Sequence, residues 1–103
     1  MANQYDVLGA VQYLRSKGAR NIYAIGGSMG GSAIAEASLT GEIDRAVYLG
    51  ATPESPGDKL RGHKLFIATR KDLGPSDIPR LPKIQQRYNE AHQPKKLLLL
   101  KKR

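Results

Sequence analysis

A serine, two carboxylates and two imidazoles are the residues here whose types and spacing suit chemistry. They are Ser28, Asp72, Asp77, His63 and His92. A serine hydroxyl is a weak nucleophile until a base takes its proton, and an imidazole base works best when a carboxylate fixes its tautomer. The run Gly26-Gly27-Ser28-Met29-Gly30 has the G-x-S-x-G spacing. That spacing suits a serine held on a sharp turn from strand to helix, with glycine at Gly26 and Gly30 because side chains there would collide. The Met29 N–H would then lie at the helix start, where it can donate to an oxyanion. The bland alternative is a glycine-rich turn, or a helix start that binds anions. No lysine follows in P-loop spacing, and the G-x-G-x-x-G spacing is not met.

A turn of this kind needs a strand before the serine and a helix after it, and the flanking pattern supplies both. Val7, Val11 and Leu14 form a helical stripe over about residues 4–17, closed by Lys17 and Gly18. Residues 21–25 read as a short strand. Residues 30–39 read as a helix whose small face, Ala33, Ile34 and Ala37, can lie close to a sheet. Residues 46–49, 65–68 and 97–100 read as three further strands. Residues 51–62 carry Pro53, Pro56, Gly57 and Gly62 and read as loop. Leu81, Ile84 and Tyr88 mark a third helix over about 79–92, with proline near its start. The strands are apolar at successive positions rather than alternate ones, which predicts a parallel sheet buried on both faces. The expected fold is α/β, with a short parallel sheet of about four strands and helices, in a single domain over residues 1–103.

Composition narrows the function classes. Apolar residues make up 40 % and charged residues 25 % of the 103, which is globular rather than disordered. Cysteine is absent. Disulfides and thiolate metal sites are therefore excluded, and two histidines predict no structural zinc site. No run reaches the roughly 18 apolar residues of a membrane span. The first residues, 1–6, lack the basic and apolar regions of a signal peptide. A cytoplasmic location is the expectation. The net charge of +8 sits entirely in residues 51–103, which hold thirteen basic and five acidic side chains. That half invites an anionic partner. Only Phe66 and Tyr88 are aromatic beyond residue 50, so base stacking, and with it a nucleic-acid partner, is not expected.

Residues 6–40, DVLGAVQYLRSKGARNIYAIGGSMGGSAIAEASLT, resemble the helix–strand–turn–helix core of α/β-hydrolases, in the manner of dienelactone-hydrolase-like and small-esterase members. IDRAVYLGATP resembles the family's next strand. KLFIATRKDLGP resembles the strand whose loop carries the family's acid, which falls on Asp72. PRLPKIQQRYNEAHQPKKLLLL resembles the following helix and last strand. The resemblance thus spans nearly the whole chain. It implies Ser28 as nucleophile, Asp72 as orienting acid and the Met29 N–H as oxyanion donor. Two parts of the family pattern have no counterpart: its first strands, whose loop gives a second oxyanion N–H, and its histidine beyond the last strand. The sequence reads as the middle-to-C-terminal half of a hydrolase.

In a parallel sheet Ser28 and Asp72 belong at the rim formed by the strand C-termini. His63 precedes its strand, about 20 Å from that rim. His92 follows a helix that returns to the opposite rim; it is the candidate base only by distortion or from a second chain. Lys101 and Lys102 leave the last strand at the correct rim and allow a Ser–Lys pair, against their reading as an exposed chain end. Asp77 is the alternative acid, or a cap. The expectation is a serine hydrolase of small carboxylic esters with Ser28, Asp72 and His92 as catalytic set, no cofactor and no metal. The resemblance implies three helices, about residues 4–17, 30–40 and 79–92, all on one face of the sheet, and the second face, left without them, predicts a homodimer or larger. The alternative is a non-catalytic protein that self-associates or binds anions through its basic half.

Overall fold

Asn3 begins the first helix by accepting hydrogen bonds from the Tyr5 and Asp6 amides, while Asp6 accepts from the Asn3 amide. This reciprocal cap fixes the start of α1, Gln4–Ser16. The structure is a computed structural model and describes residues 3–69 and 79–100. After α1 come β1 (Tyr23–Gly27), α2 (Ser28–Ser38), β2 (Arg45–Leu49), a 3-10 turn (Gly57–Lys59), β3 (His63–Thr69), α3 (Leu81–Glu90) and β4 (Lys95–Leu100). The strands lie in chain order, β1-β2-β3-β4, and every pairing is parallel. The α/β fold and the four-stranded parallel sheet are as the residue pattern predicts.

Two boundaries differ in a way that matters for the site. β1 starts two residues later than the β-rich run suggests and continues through Gly26 and Gly27. α2 starts at Ser28 itself rather than at Gly30. Two glycines in succession conceal both boundaries, because glycine carries little preference for either state.

Alternate strand residues build the core. Ala46, Tyr48, Phe66 and Ala68 are buried against Val11 of α1, Ile34 and Ala37 of α2 and Ile84 of α3. α2 lies over β1 and β2, α3 lies over β3 and β4, and α1 packs on α2. Tyr48, Phe66 and Tyr88 form an aromatic row, with ring centroids 5.1 and 5.9 Å apart. The described helices serve one face, α2 and α3 directly and α1 by packing on α2. The opposite face carries Tyr23, Ile25, Val47, Leu49, Leu65, Ile67, Leu98 and Leu100, and no described helix lies over it. Ile25 is 69 % exposed there and Leu49 41 %. Burial on both faces, predicted from continuous apolar strands, is therefore not what the structure has. The side chains are apolar on both faces, but helices serve only one.

Asp44 anchors the lower rim, formed by the strand N-termini. Its carboxylate accepts from the Ile22 amide at 2.6 Å and pairs with Arg15 at 3.4 Å. A second anchor lies behind α3. The Gly57 amide donates to Glu90 at 2.8 Å, and a side chain at Gly57 would run into the Arg87 carbonyl.

Candidate active site

Ser28 follows the last residue of β1 and opens α2, with φ at +51°. It is the one non-glycine residue with positive φ among those described. For an L-residue this conformation costs about 1–2 kcal/mol. It turns the chain from strand to helix within a single residue and leaves Ser28 exposed at the rim of the strand C-termini. No described residue hydrogen-bonds its hydroxyl. Because α2 starts here, the first amides of the helix, including that of Met29, have no carbonyl one turn earlier to bond to. They form the positive end of an 11-residue helix.

The turn is possible because glycines let strand and helix meet. A methyl group at Gly26 would fall 2.7 Å from the Gly30 carbonyl carbon, the Gly31 nitrogen and Ile34 Cδ1. The second close approach is at Gly31, where a methyl would strike Ala51 and the Gly26 carbonyl oxygen. Gly30, expected to share this duty, faces open space. The helix starts at the serine, so it is Gly31 that comes back over the end of β1.

An open cleft of about 360 Å³ lies beside the serine. Ser28, Met29 and Ser32 of α2, the Gly50-Ala51-Thr52 segment after β2, and Arg80 ahead of α3 line it. Ser32 Oγ donates to the Thr52 carbonyl at 3.1 Å, and Arg80 Nη1 to the Gly50 carbonyl at 2.8 Å. The cleft therefore sits outside the carboxyl ends of parallel strands, where open α/β sheets bind ligands. A hollow of about 280 Å³ adjoins it across Met29 and Ser32, with Glu36 and Glu54 on its far wall. Arg80, Ser32 and the post-β2 segment were not picked out from sequence. The usable signal was positional: Gly50 directly follows β2 at the same rim as Ser28.

The remaining expected site residues are not gathered at this cleft. Asp72, Asp77, Lys101 and Lys102 lie outside the described residues. His63 begins β3 at the lower rim, and a seven-residue strand is roughly 20 Å long. His92 is also at the lower rim. Its carbonyl accepts from Lys64 Nζ at 3.0 Å, beside the start of β3. The return of α3 carries His92 there, so within one chain the structure does not join it to Ser28.

Groups with displaced titration lie elsewhere too. Burial, and then the charge of Lys95, pushes the Lys64 ammonium below the usual lysine range, but it is at the lower rim. Burial raises the Tyr48 phenol within the core. The Gly57 amide, more than any other group, holds the Glu90 carboxyl below the usual carboxylate range. Among the described residues no group of three His, Asp or Glu is placed to hold a metal ion. No described helix is long and apolar enough to cross a membrane.

The fold has a relative of known structure. It is similar to an esterase domain. The crystal structure of the esterase domain from a Rhodothermus marinus protein superposes with a TM-score of 0.77, covering 97 % of this chain and 59 % of that one. Sequence identity is 15 %, so the likeness is one of fold. The chain spans about three-fifths of that neighbour's length. No family model matches the chain. No curated protein matches it in sequence.

Proposed function

We propose that the chain is a serine hydrolase core acting on small carboxylic esters, with Ser28 as the nucleophile. The observation that carries this is the φ of +51° at Ser28, at the junction of β1 and α2 and at the mouth of an open cleft. Strained backbone at a ligand-binding rim is where function concentrates. The esterase-domain fold supports the same reading.

Ser28 Oγ attacks the ester carbonyl. The carbonyl oxygen becomes an oxyanion, stabilised by the Met29 N–H and the positive end of α2. The alcohol leaves, and water releases the acid from the acyl-serine. The α/β-hydrolase resemblance implies Asp72 as orienting acid, a role that requires an imidazole between it and Ser28. The chain has two histidines, and both sit at the far rim. Within residues 1–103 neither His63 nor His92 therefore reaches Ser28 from the same chain, and solvent base takes the hydroxyl proton. Catalysis of this kind is slow. Sites lacking one triad member retain roughly 10³–10⁴-fold over water from binding and the oxyanion donors.

The test is hydrolysis of p-nitrophenyl acetate and butyrate, above the buffer rate, by the wild type and by Ser28→Ala. Turnover that Ser28→Ala loses by at least about tenfold supports the reading. Equal rates in the two proteins contradict it.

A further inference from the structure

The face that no described helix covers meets the lower rim at a basic corner. Arg45 of β2 lies opposite His63 of β3 in the strand register. Lys96 of β4 lies opposite Leu65, one step further along the same face. Neighbouring strands stand about 4.8 Å apart, and successive side chains on one face about 6.6 Å. Lys96 is therefore roughly 8 Å from His63, along a diagonal that long side chains bridge. Arg45, His63 and Lys96 are all exposed. Together they line a hollow of about 310 Å³ with Val47, Leu65 and Pro94. Arg45 and His63 also line a second hollow, of about 450 Å³, among the loops of the lower rim. The corner is thus reached from the rim as well as from the face.

Basic groups set side by side on neighbouring strands repel one another unless an anion offsets them. Among the described residues no hydrogen bond or ion pair engages the side chains of Arg45, His63 or Lys96. Arg45 rests over the Tyr23 ring at 5.7 Å, which holds its guanidinium without neutralising it. Lys64 and Lys95 bring two more ammonium groups to the same strand ends, but carbonyls take them. The Gly62 and His92 carbonyls accept from Lys64, and those of Tyr88 and Asn89 accept from Lys95. Asp44, the carboxylate that lines the rim hollow, is already committed to the Ile22 amide and Arg15. The corner therefore holds two uncompensated cations and an imidazole around one hollow.

We propose that this corner binds the dianion of a small, soluble phosphate monoester. Such a group carries a charge of about −1.5 to −2 near neutral pH and three terminal oxygens. Arg45 offers a fork of N–H donors to two of those oxygens, and Lys96 a compact point charge. His63 donates a ring N–H to the third. A single carboxylate would leave one of the two cations unmatched. Val47, Leu65 and Pro94 give the organic group of the ester an apolar seat. The corner lies at the opposite rim from Ser28, a strand length or roughly 15–20 Å away. The inference therefore does not depend on the chemistry of Ser28.

Titration of the chain with phenyl phosphate, followed by amide NMR shifts, tests it. The expected result is saturable shifts at the amides of Arg45, His63 and Lys96, with a Kd on the order of 1 mM at low salt. Benzoate, which carries one charge, should bind the same amides at least about fivefold more weakly. Arg45→Gln and Lys96→Gln should each raise the Kd for phenyl phosphate about fivefold or more. Both positions are exposed, so the circular dichroism spectrum should not change. Lys83→Gln removes the same charge from an exposed position on α3 and should leave the Kd within about twofold. The absence of saturable shifts up to about 20 mM overturns the proposal. So do shifts centred on the Met29 amide at the start of α2, or benzoate binding as tight as that of phenyl phosphate. Equal weakening by Lys83→Gln and Arg45→Gln also overturns it, since that marks a response to net charge alone. Binding to phosphatidic-acid vesicles without binding to phenyl phosphate does the same.

Discussion

Ser28 combines two properties that usually oppose each other: a left-handed backbone and a side chain larger than hydrogen. Glycine adopts that backbone freely, so Ser28→Gly should stabilise the protein relative to Ser28→Ala by about 1–2 kcal/mol in urea unfolding. Equal stabilities would mean the strain is not real. The distance of His63 and His92 from Ser28 makes a second prediction. With solvent base taking the proton, the esterase rate should climb steadily with pH up to about 9. A plateau governed by an inflection near pH 6.5 would instead mean that a histidine reaches Ser28 from a second chain. By the same argument His92→Ala should leave the rate within about twofold of wild type. The serine was legible from its glycine spacing together with the strand pattern before it and the helix pattern after it. Arg80 and Ser32 were not: Arg80 is distant in sequence from Ser28, and neither residue type carries a signature.

Elements differ in how openly their residues announce them. The Val7, Val11 and Leu14 stripe of α1 and the aliphatic runs of β2, β3 and β4 stated their elements plainly. The β1–α2 junction did not, since consecutive glycines suit a strand end, a turn or a helix start equally. That junction gives a sharp substitution test. Gly26→Ala and Gly31→Ala should each destabilise by about 2 kcal/mol or more, since both force backbone apart. Gly30→Ala should be neutral or gain up to about 1 kcal/mol, because it faces open space within a helix. Loss of stability at Gly30 comparable to that at Gly26 would show that the helix does not begin at Ser28. A second test belongs to the contact between the 3-10 turn and α3. The Gly57 amide lowers the folded pKa of Glu90 below its unfolded value. The folded state then binds fewer protons than the unfolded state in that window, so this contribution is complete above about pH 4.5 and is lost as pH falls through the folded value. Glu90→Gln should flatten the acid side of the Tm-against-pH curve. An unchanged slope between pH 5 and 3 would remove Glu90 from the account.

For the whole molecule, the sequence carried the layer order further than the layer count. Strands apolar at successive positions foretold two faces that each seek cover. They did not say where the cover for the second face comes from, because a side chain on a strand reads the same whichever layer it meets. Three helices on one face and seven aliphatics on the other leave a sheet whose upper rim is built and whose far face is open. Ser28 needs only the built part, namely the β1–α2 junction, the segment after β2 and the start of α3. A mechanism-based label reads its reactivity in that setting. Intact-mass and peptide mass spectrometry after treatment with a fluorophosphonate should find one adduct per chain, on the peptide that contains Ser28. The adduct should vanish in Ser28→Ala and in protein unfolded in urea before treatment. A folded wild-type chain that takes up no label, or takes it up equally when unfolded, would contradict the assignment of Ser28 as the nucleophile.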